Sequence, residues 1–292
     1  MSGQFGVHSL VFTDDWNPAS ARSACMAARE IGYDLIEVLI FDPARLDVRA
    51  TADAVKEAGI GLRLGMALGP DTDIASDDPE IAARGEATVA RCLEIASQLE
   101  APALSGIVYA AFHSYGAPQT PAQWARVAEK LGRLDRRAGE LGLRLGLEAV
   151  NRYESFMINT LDQAAAMIRD AGAANMFIHM DTFHMNIEEG DVTAAIHRNA
   201  GLLGYAHVAD SNRGVLGGGH FDLVGYFRAL ESVGYTGDIT VESFSSKVLG
   251  PDLVGGVRLW RPAFDNAVEA ARTALQLMQA ARAAAIAGTR VW

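Results

Sequence analysis

The chain has 292 residues, half of them apolar, with 25 Lys and Arg against 36 Asp and Glu for a net charge of −11. That acidity excludes a protein that tracks nucleic-acid phosphates, which needs a basic stripe. No apolar run of about 18 residues or more and no basic-then-apolar leader is present, so a cytoplasmic protein with no membrane partner is expected.

In chain order, strand-like runs fall at Phe5–Phe12, Asp34–Ile40, Gly61–Ala67, Ala103–Tyr109, Leu143–Ala149, Met176–Asp181, Gly204–Val208 and Gly237–Phe244. Helical patterns lie between them, among them Pro79–Leu99, Pro121–Leu141 and Phe221–Val233. The Ala-rich stretch Ala263–Ala287 reads as a closing amphipathic helix. Gly32, Gly59, Gly142 and Gly234 stand where the chain leaves a helix for a strand, the place for a left-handed cap. Strands alternating with helices in this way predict a single (β/α)8 TIM barrel as one domain over residues 1–292. An open dinucleotide-binding sheet would want Gly-x-Gly-x-x-Gly after the first strand, and none follows Phe12. Gly217, Gly218 and Gly219 precede no phosphate-binding Lys-Ser/Thr and read as a flexible loop. Cys25 and Cys92 lack metal-ligand spacing and are expected to be buried small hydrophobes.

Four acid or imidazole side chains sit late on consecutive strand candidates: Glu148, Asp181, His207 and Glu242. In a parallel barrel such positions converge at one mouth. Two Glu, one Asp and one His form an oxygen-rich donor set for a single hard or borderline divalent ion. Mn²⁺ is the first expectation, with Mg²⁺ or Co²⁺ also suited. Without cysteine ligands, a structural zinc site is not expected. The two glutamates retain carboxylate oxygens for proton transfer.

Four local strings carry a resemblance. They are Glu148-Ala149-Val150-Asn151-Arg152-Tyr153-Glu154, Asp181-Thr182-Phe183-His184-Met185-Asn186-Ile187-Glu188-Glu189, His207-Val208-Ala209-Asp210-Ser211-Asn212-Arg213 and Val241-Glu242-Ser243-Phe244. Together they resemble the ketose 3-epimerase family, which includes D-tagatose, D-psicose (allulose) and L-ribulose 3-epimerases within the xylose-isomerase-like barrels. The similarity extends to Ile74-Ala75-Ser76 and Trp260-Arg261. It implies that Glu148, Asp181, His207 and Glu242 bind the metal. Glu148 and Glu242 would also exchange a proton at C3 of a free ketose through a cis-enediolate. Glu154, His184 and Arg213 would hydrogen-bond the O1/O2 end, and the assembly would be a homodimer or homotetramer. The chemistry agrees: inverting C3 needs one base on each face, which one fixed carboxylate cannot supply.

Other positions carry weaker expectations. His8 and Trp16 are expected to line the substrate pocket, although Trp16 would also suit packing at the barrel mouth. His179, two residues before Asp181, suits a hydrogen-bond partner behind a ligand. Glu188 and Glu189 read as an acidic pair at a helix N-terminus. His197 reads as surface; His113, His220 and Trp292 receive no role. The loops holding His113 and Leu216–Phe221 depart from the family and bear on contacts to O4–O6.

The same barrel and metal could instead serve an aldose–ketose or hydroxypyruvate-type isomerase. An apurinic-site endonuclease would need more histidines and a basic face, and a binding protein without turnover would need one of the four acid or imidazole groups altered. No phosphate cradle follows the last strands, which favours an unphosphorylated sugar.

Overall fold

A computed structural model describes residues 3–289, in which each strand pairs in parallel with its sequence neighbours and the last closes on the first. The strands are β1 (Phe5–His8), β2 (Leu35–Ile40), β3 (Gly61–Leu68), β4 (Ala103–Ala111), β5 (Arg144–Glu148), β6 (Met176–Asp181), β7 (Leu203–Val208) and β8 (Asp238–Val241). Gly6 stands opposite Leu35 on one side and Thr240 on the other, which seals the barrel. The helices are α1 (Pro18–Ile31), α2 (Val48–Ala58), α3 (Pro79–Gln98), α4 (Pro121–Glu140), α5 (Leu161–Asp170), α6 (Thr182–Glu188), α7 (Val192–Asn199), α8 (Leu223–Ser232), α9 (Pro251–Gly256) and α10 (Ala267–Thr289). This is the expected (β/α)8 architecture. The connections after β6 and β8 each carry two helices rather than one.

Two sequence-based boundaries are too long. β1 stops at His8 because its Nδ1 accepts the Leu10 amide at 3.1 Å and turns Ser9–Val11 into a 3₁₀ helix. β8 stops at Val241, after which Phe244 donates to the Arg213 carbonyl in the preceding loop rather than to a strand. The helix-terminating glycines behave as expected: Gly32, Gly59, Gly142 and Gly234 all take positive φ.

Aliphatic residues such as Ile36, Val38, Leu64, Leu104 and Leu145 are fully or nearly fully buried, and they join the helices' inner faces in one core. Burying apolar surface there supplies the main stabilisation, roughly 25 cal/mol per Å². The barrel interior is different: Glu37, His179, Tyr205 and Thr240 are all buried in it. Glycine makes room for the larger groups. A Cβ at Gly146 would lie 2.6 Å from the Phe177 ring, and one at Gly65 would lie 2.6 Å from Glu37 Oε1. Cys25 and Cys92 are buried, and burial pushes both thiols up to about 12, so they are inert packing residues at neutral pH. Among the described residues no helix is long and apolar enough to cross a membrane.

Candidate metal and substrate site

Strands β5 to β8 each deliver one side chain to the C-terminal mouth. Glu148 and Asp181 are the last residues of β5 and β6, His207 lies one from the end of β7, and Glu242 follows β8. Asp181 is also the N-cap of α6, its Oδ1 accepting the Phe183 amide at 2.7 Å. That cap fixes the carboxylate and leaves Oδ2 free. Oδ2 and His207 Nδ1 are buried without a hydrogen-bond partner.

His207 Nδ1 lies 3.9 Å from Glu148 Oε1, 3.8 Å from Asp181 Oδ2 and 3.7 Å from Glu242 Oε1. These separations are too long for hydrogen bonds. Two ligands each roughly 2.0–2.3 Å from one cation stand roughly 3–4.5 Å apart, so the set fits a shared divalent ion. The charge balance points the same way. Glu37, Glu148, Glu154, Asp181 and Glu242 are all buried here, with Arg213 as the accompanying guanidinium.

His184, on α6, is set by the β5–α5 loop. Its Nδ1 accepts the Asn151 amide at 3.1 Å, so Nε2 carries the proton. That Nε2 lies 3.8 Å from each of Glu148 Oε1, Glu154 Oε2 and Asp181 Oδ2. Arg213 comes from the β7–α8 loop with φ of 57°, a left-handed conformation that costs a non-glycine residue about 1 kcal/mol or more. Its Nε donates to Glu242 Oε2 at 3.0 Å and its Nη1 to Glu154 Oε1 at 2.8 Å. The guanidinium sits between the Phe183 and Phe244 rings, 4.7 and 4.8 Å from their centroids.

Burial pushes the Glu148 carboxyl well above its ordinary range, against the pull of His207. Burial also acts upward on Asp181, but His184 and His207 outweigh it and hold the carboxyl below its usual range. Burial opposes charge on Arg213, yet Glu154, Glu242 and Asp181 hold its pKa up, so it is a permanent cation. Burial lowers His8 and His184 and keeps both neutral. For His207 burial works the same way, but Glu37 and Asp181 reverse the sign and raise it well above normal as long as no cation competes for Nδ1.

A cavity of about 360 Å³ opens over this cluster, within the range usual for small-molecule sites, roughly 300–1,000 Å³. It is lined by His8, Glu148, Glu154, His184, His207, Arg213 and Glu242, with Asp181 behind them. His8 bonds through Nδ1 to Leu10, so its Nε2–H is left for the cavity. The outer lip is apolar, formed by Leu39, Phe41, Phe112, Leu253 and Val257.

Several sequence expectations need correction. Trp16 does not line this cavity: it borders an adjoining depression of about 140 Å³, and its Nε1 donates to Thr51 at 3.1 Å, tying the β1–α1 loop to α2. Glu188 and Glu189 stand at the C-terminal end of α6, not at a helix N-terminus. Glu188 grips Arg152, and Glu189 accepts the Leu161 amide at the start of α5. Both brace the β5–α5 loop, and the dipole that Glu189 answers is that of α5, not of a helix it begins itself. His179 makes no hydrogen bond to Asp181. Both its nitrogens lack partners, and Nδ1 is 3.9 Å from Glu148 Oε2. The glycines 217–219 do not form a free loop, because Asp210 Oδ2 accepts the Gly217 amide at 2.8 Å. His197 meets Ser232 and His220 meets Ser211, while His113 packs edge-on to Tyr115. Trp292 lies outside the described residues.

Glu37 joins the site without any expectation from the sequence. Its Oε2 is 2.5 Å from His207 Nε2 and accepts the Tyr205 hydroxyl at 2.7 Å. The available signal was a lone carboxylate inside Leu35-Ile36-Glu37-Val38-Leu39-Ile40, where an all-apolar strand would be the rule.

Residues 25–281 match the family described as xylose isomerase-like TIM barrel. The ketose 3-epimerase of Arthrobacter globiformis is 38% identical over 258 residues, covering 88% of this chain and 89% of that one. The L-ribulose 3-epimerase of Methylomonas sp. (strain DH-1) is 34% identical over 276 residues, covering 94% and 96%. A crystal structure of a Methylomonas sp. D-allulose 3-epimerase in complex with D-allulose superposes with a TM-score of 0.93 at 34% identity, over 96% of this chain and 97% of the other.

Proposed function

Since the chain belongs to the ketose 3-epimerases of the xylose isomerase-like TIM barrel family, we propose that it inverts C3 of a free ketose of the D-allulose, D-fructose, D-tagatose or L-ribulose type. The observation that carries this reading is the arc of β5 to β8. Glu148 and Glu242 stand at its two ends, with Asp181 and His207 between them. A ketose lying across the arc presents one face of C3 to each glutamate.

In this mechanism one glutamate takes the C3 proton, and the sugar passes through a cis-enediolate. The other glutamate, as acid, returns a proton to the opposite face, and the roles exchange in the reverse reaction. Glu148, Asp181, His207 and Glu242 would hold a divalent ion, Mn²⁺ being the first expectation, which would supply Lewis-acid stabilisation of the oxyanion that develops as the proton leaves. Arg213 and the His184 Nε2–H donate to the O1/O2 end. Glu154 Oε2, buried without a partner, accepts a hydroxyl proton there. His8 Nε2–H serves a further sugar oxygen. The apolar lip holds the distal carbons with few directional contacts, so the reacting end is read more strictly than the tail.

The test is to incubate the metal-reconstituted protein with D-tagatose, D-fructose, D-allulose and L-ribulose in D₂O and follow the products by NMR. Deuterium at C3 of a C3-epimeric ketose is expected. Label at C1 or C2 with an aldose product would replace the epimerase with an aldose–ketose isomerase. Metal binding without label in any sugar would leave a binding protein.

A further inference from the structure

Glu37 is buried in the barrel and borders the cavity beside His207, and the proposed reaction asks no step of it, yet it makes one of the shortest polar contacts at the site. Its Oε2 lies 2.5 Å from His207 Nε2. The same oxygen accepts the Tyr205 hydroxyl at 2.7 Å, and Tyr205 Oη lies 2.5 Å from Thr240 Oγ1. The tyrosine proton is committed to Glu37, so Thr240 donates in the last contact. The line Thr240–Tyr205–Glu37–His207 therefore ends with a carboxylate that can only accept from the imidazole.

We infer that Glu37 is the positioning residue of His207, holding the proton on Nε2 and turning the bare Nδ1 toward the ion site. The inference rests on the reading of His207 as a metal ligand. Its physical basis is a competition. Asp181 Oδ2 and Glu242 Oε1 stand 3.8 and 3.7 Å from Nδ1 and would attract a proton to that nitrogen. A proton on Nδ1 would occupy the lone pair the cation needs. Glu37 offers a closer acceptor on the opposite side of the ring and draws the proton there. Gly65 belongs to the same arrangement. A Cβ at that position would stand 2.6 Å from Glu37 Oε1 and 3.3 Å from Leu39 Cδ1, so any larger residue would crowd the carboxylate out of its position beside His207.

Three variants of the full chain test this: Glu37→Leu removes the acceptor, Glu37→Gln keeps an acceptor oxygen without the charge, and Gly65→Ala displaces the carboxylate. Each chelator-stripped protein is titrated with Mn²⁺ by calorimetry, and the His207 tautomer is read from its imidazole ¹⁵N shifts. Loss of such a partner typically weakens metal binding about 10–100-fold. That loss is expected in Glu37→Leu and Gly65→Ala, with a smaller one in Glu37→Gln, and the His207 proton is expected to move toward Nδ1. The near-isosteric Glu37→Gln decides the matter if Glu37→Leu does not fold. Binding within about twofold of the native protein in every folded variant, with the Nε2–H tautomer kept, would overturn the inference and leave Glu37 a packing residue. Absence of Mn²⁺ binding by the native protein would instead sink the metal-site reading on which the inference rests.

Discussion

Arg213 is a long flexible side chain that the sequence places on a loop, and the structure buries it between two aromatic rings and two carboxylates. Desolvating a guanidinium is costly, and only its paired carboxylates make that burial tolerable. Truncating one partner of such a pair costs about 2–5 kcal/mol, much of it from the charges left unpaired. Arg213→Ala is therefore expected to raise KM for the ketose by at least about tenfold; a KM unchanged from the native enzyme would remove Arg213 from the substrate site. The two glutamates at the ends of the arc make a sharper demand. Glu148→Gln and Glu242→Gln keep size but lose the base, and each should cost at least about 10²–10⁴ in deuterium incorporation at C3. Full incorporation in either variant would take that residue out of proton transfer.

Among the loops, the β7–α8 segment shows how local chemistry sets a functional residue. Asp210 accepts the amides of Ser211 at 2.7 Å and Gly217 at 2.8 Å, and its carbonyl receives the Arg213 amide at 2.8 Å. Burial acts to raise the Asp210 carboxyl, but these backbone donors outweigh it and hold it below the usual 3.8. A carboxyl depressed in the folded state adds stability above its unfolded pKa, and that contribution is lost as pH falls through the folded value. Asp210→Asn should therefore be less stable than the native protein near pH 7, on the order of 1–3 kcal/mol. In thermal melts the gap should narrow progressively below about pH 4; a gap that is the same at pH 7 and pH 3 would show that the charge of Asp210 does not order the loop. The α6 segment does comparable work for the β5–α5 loop, with Glu188 gripping Arg152 and Glu189 capping α5.

For the whole molecule, one end of the barrel concentrates negative charge that a cation would neutralise. Stripping the protein with a chelator should abolish turnover, and Mn²⁺ or Co²⁺ should restore it; Zn²⁺ as the best activator would contradict the oxygen-rich donor argument. Ligand binding to the folded state alone adds about 2.7 kcal/mol at a hundredfold excess over Kd, so the stripped protein should melt at a lower temperature than the Mn²⁺ form. Equal melting temperatures would show that the buried carboxylates are content without an ion.

The sequence by itself determined the strand–helix alternation, the helix-ending glycines and the strand-end positions of Glu148, Asp181, His207 and Glu242. These are local signals: periodicity, turn chemistry and spacing along one chain. Tertiary structure alone decided which side chains share a layer inside the closed barrel, because that depends on strand stagger and on pairings between residues far apart in sequence. Glu37 and His207 are 170 positions apart and meet only once the sheet is closed. Nearness to β1 in sequence points Trp16 to the pocket, but the Thr51 hydroxyl holds it over α2. Glu188 and Glu189 read as a helix start because their local sequence does not reveal that Asp181 caps α6 about two turns earlier.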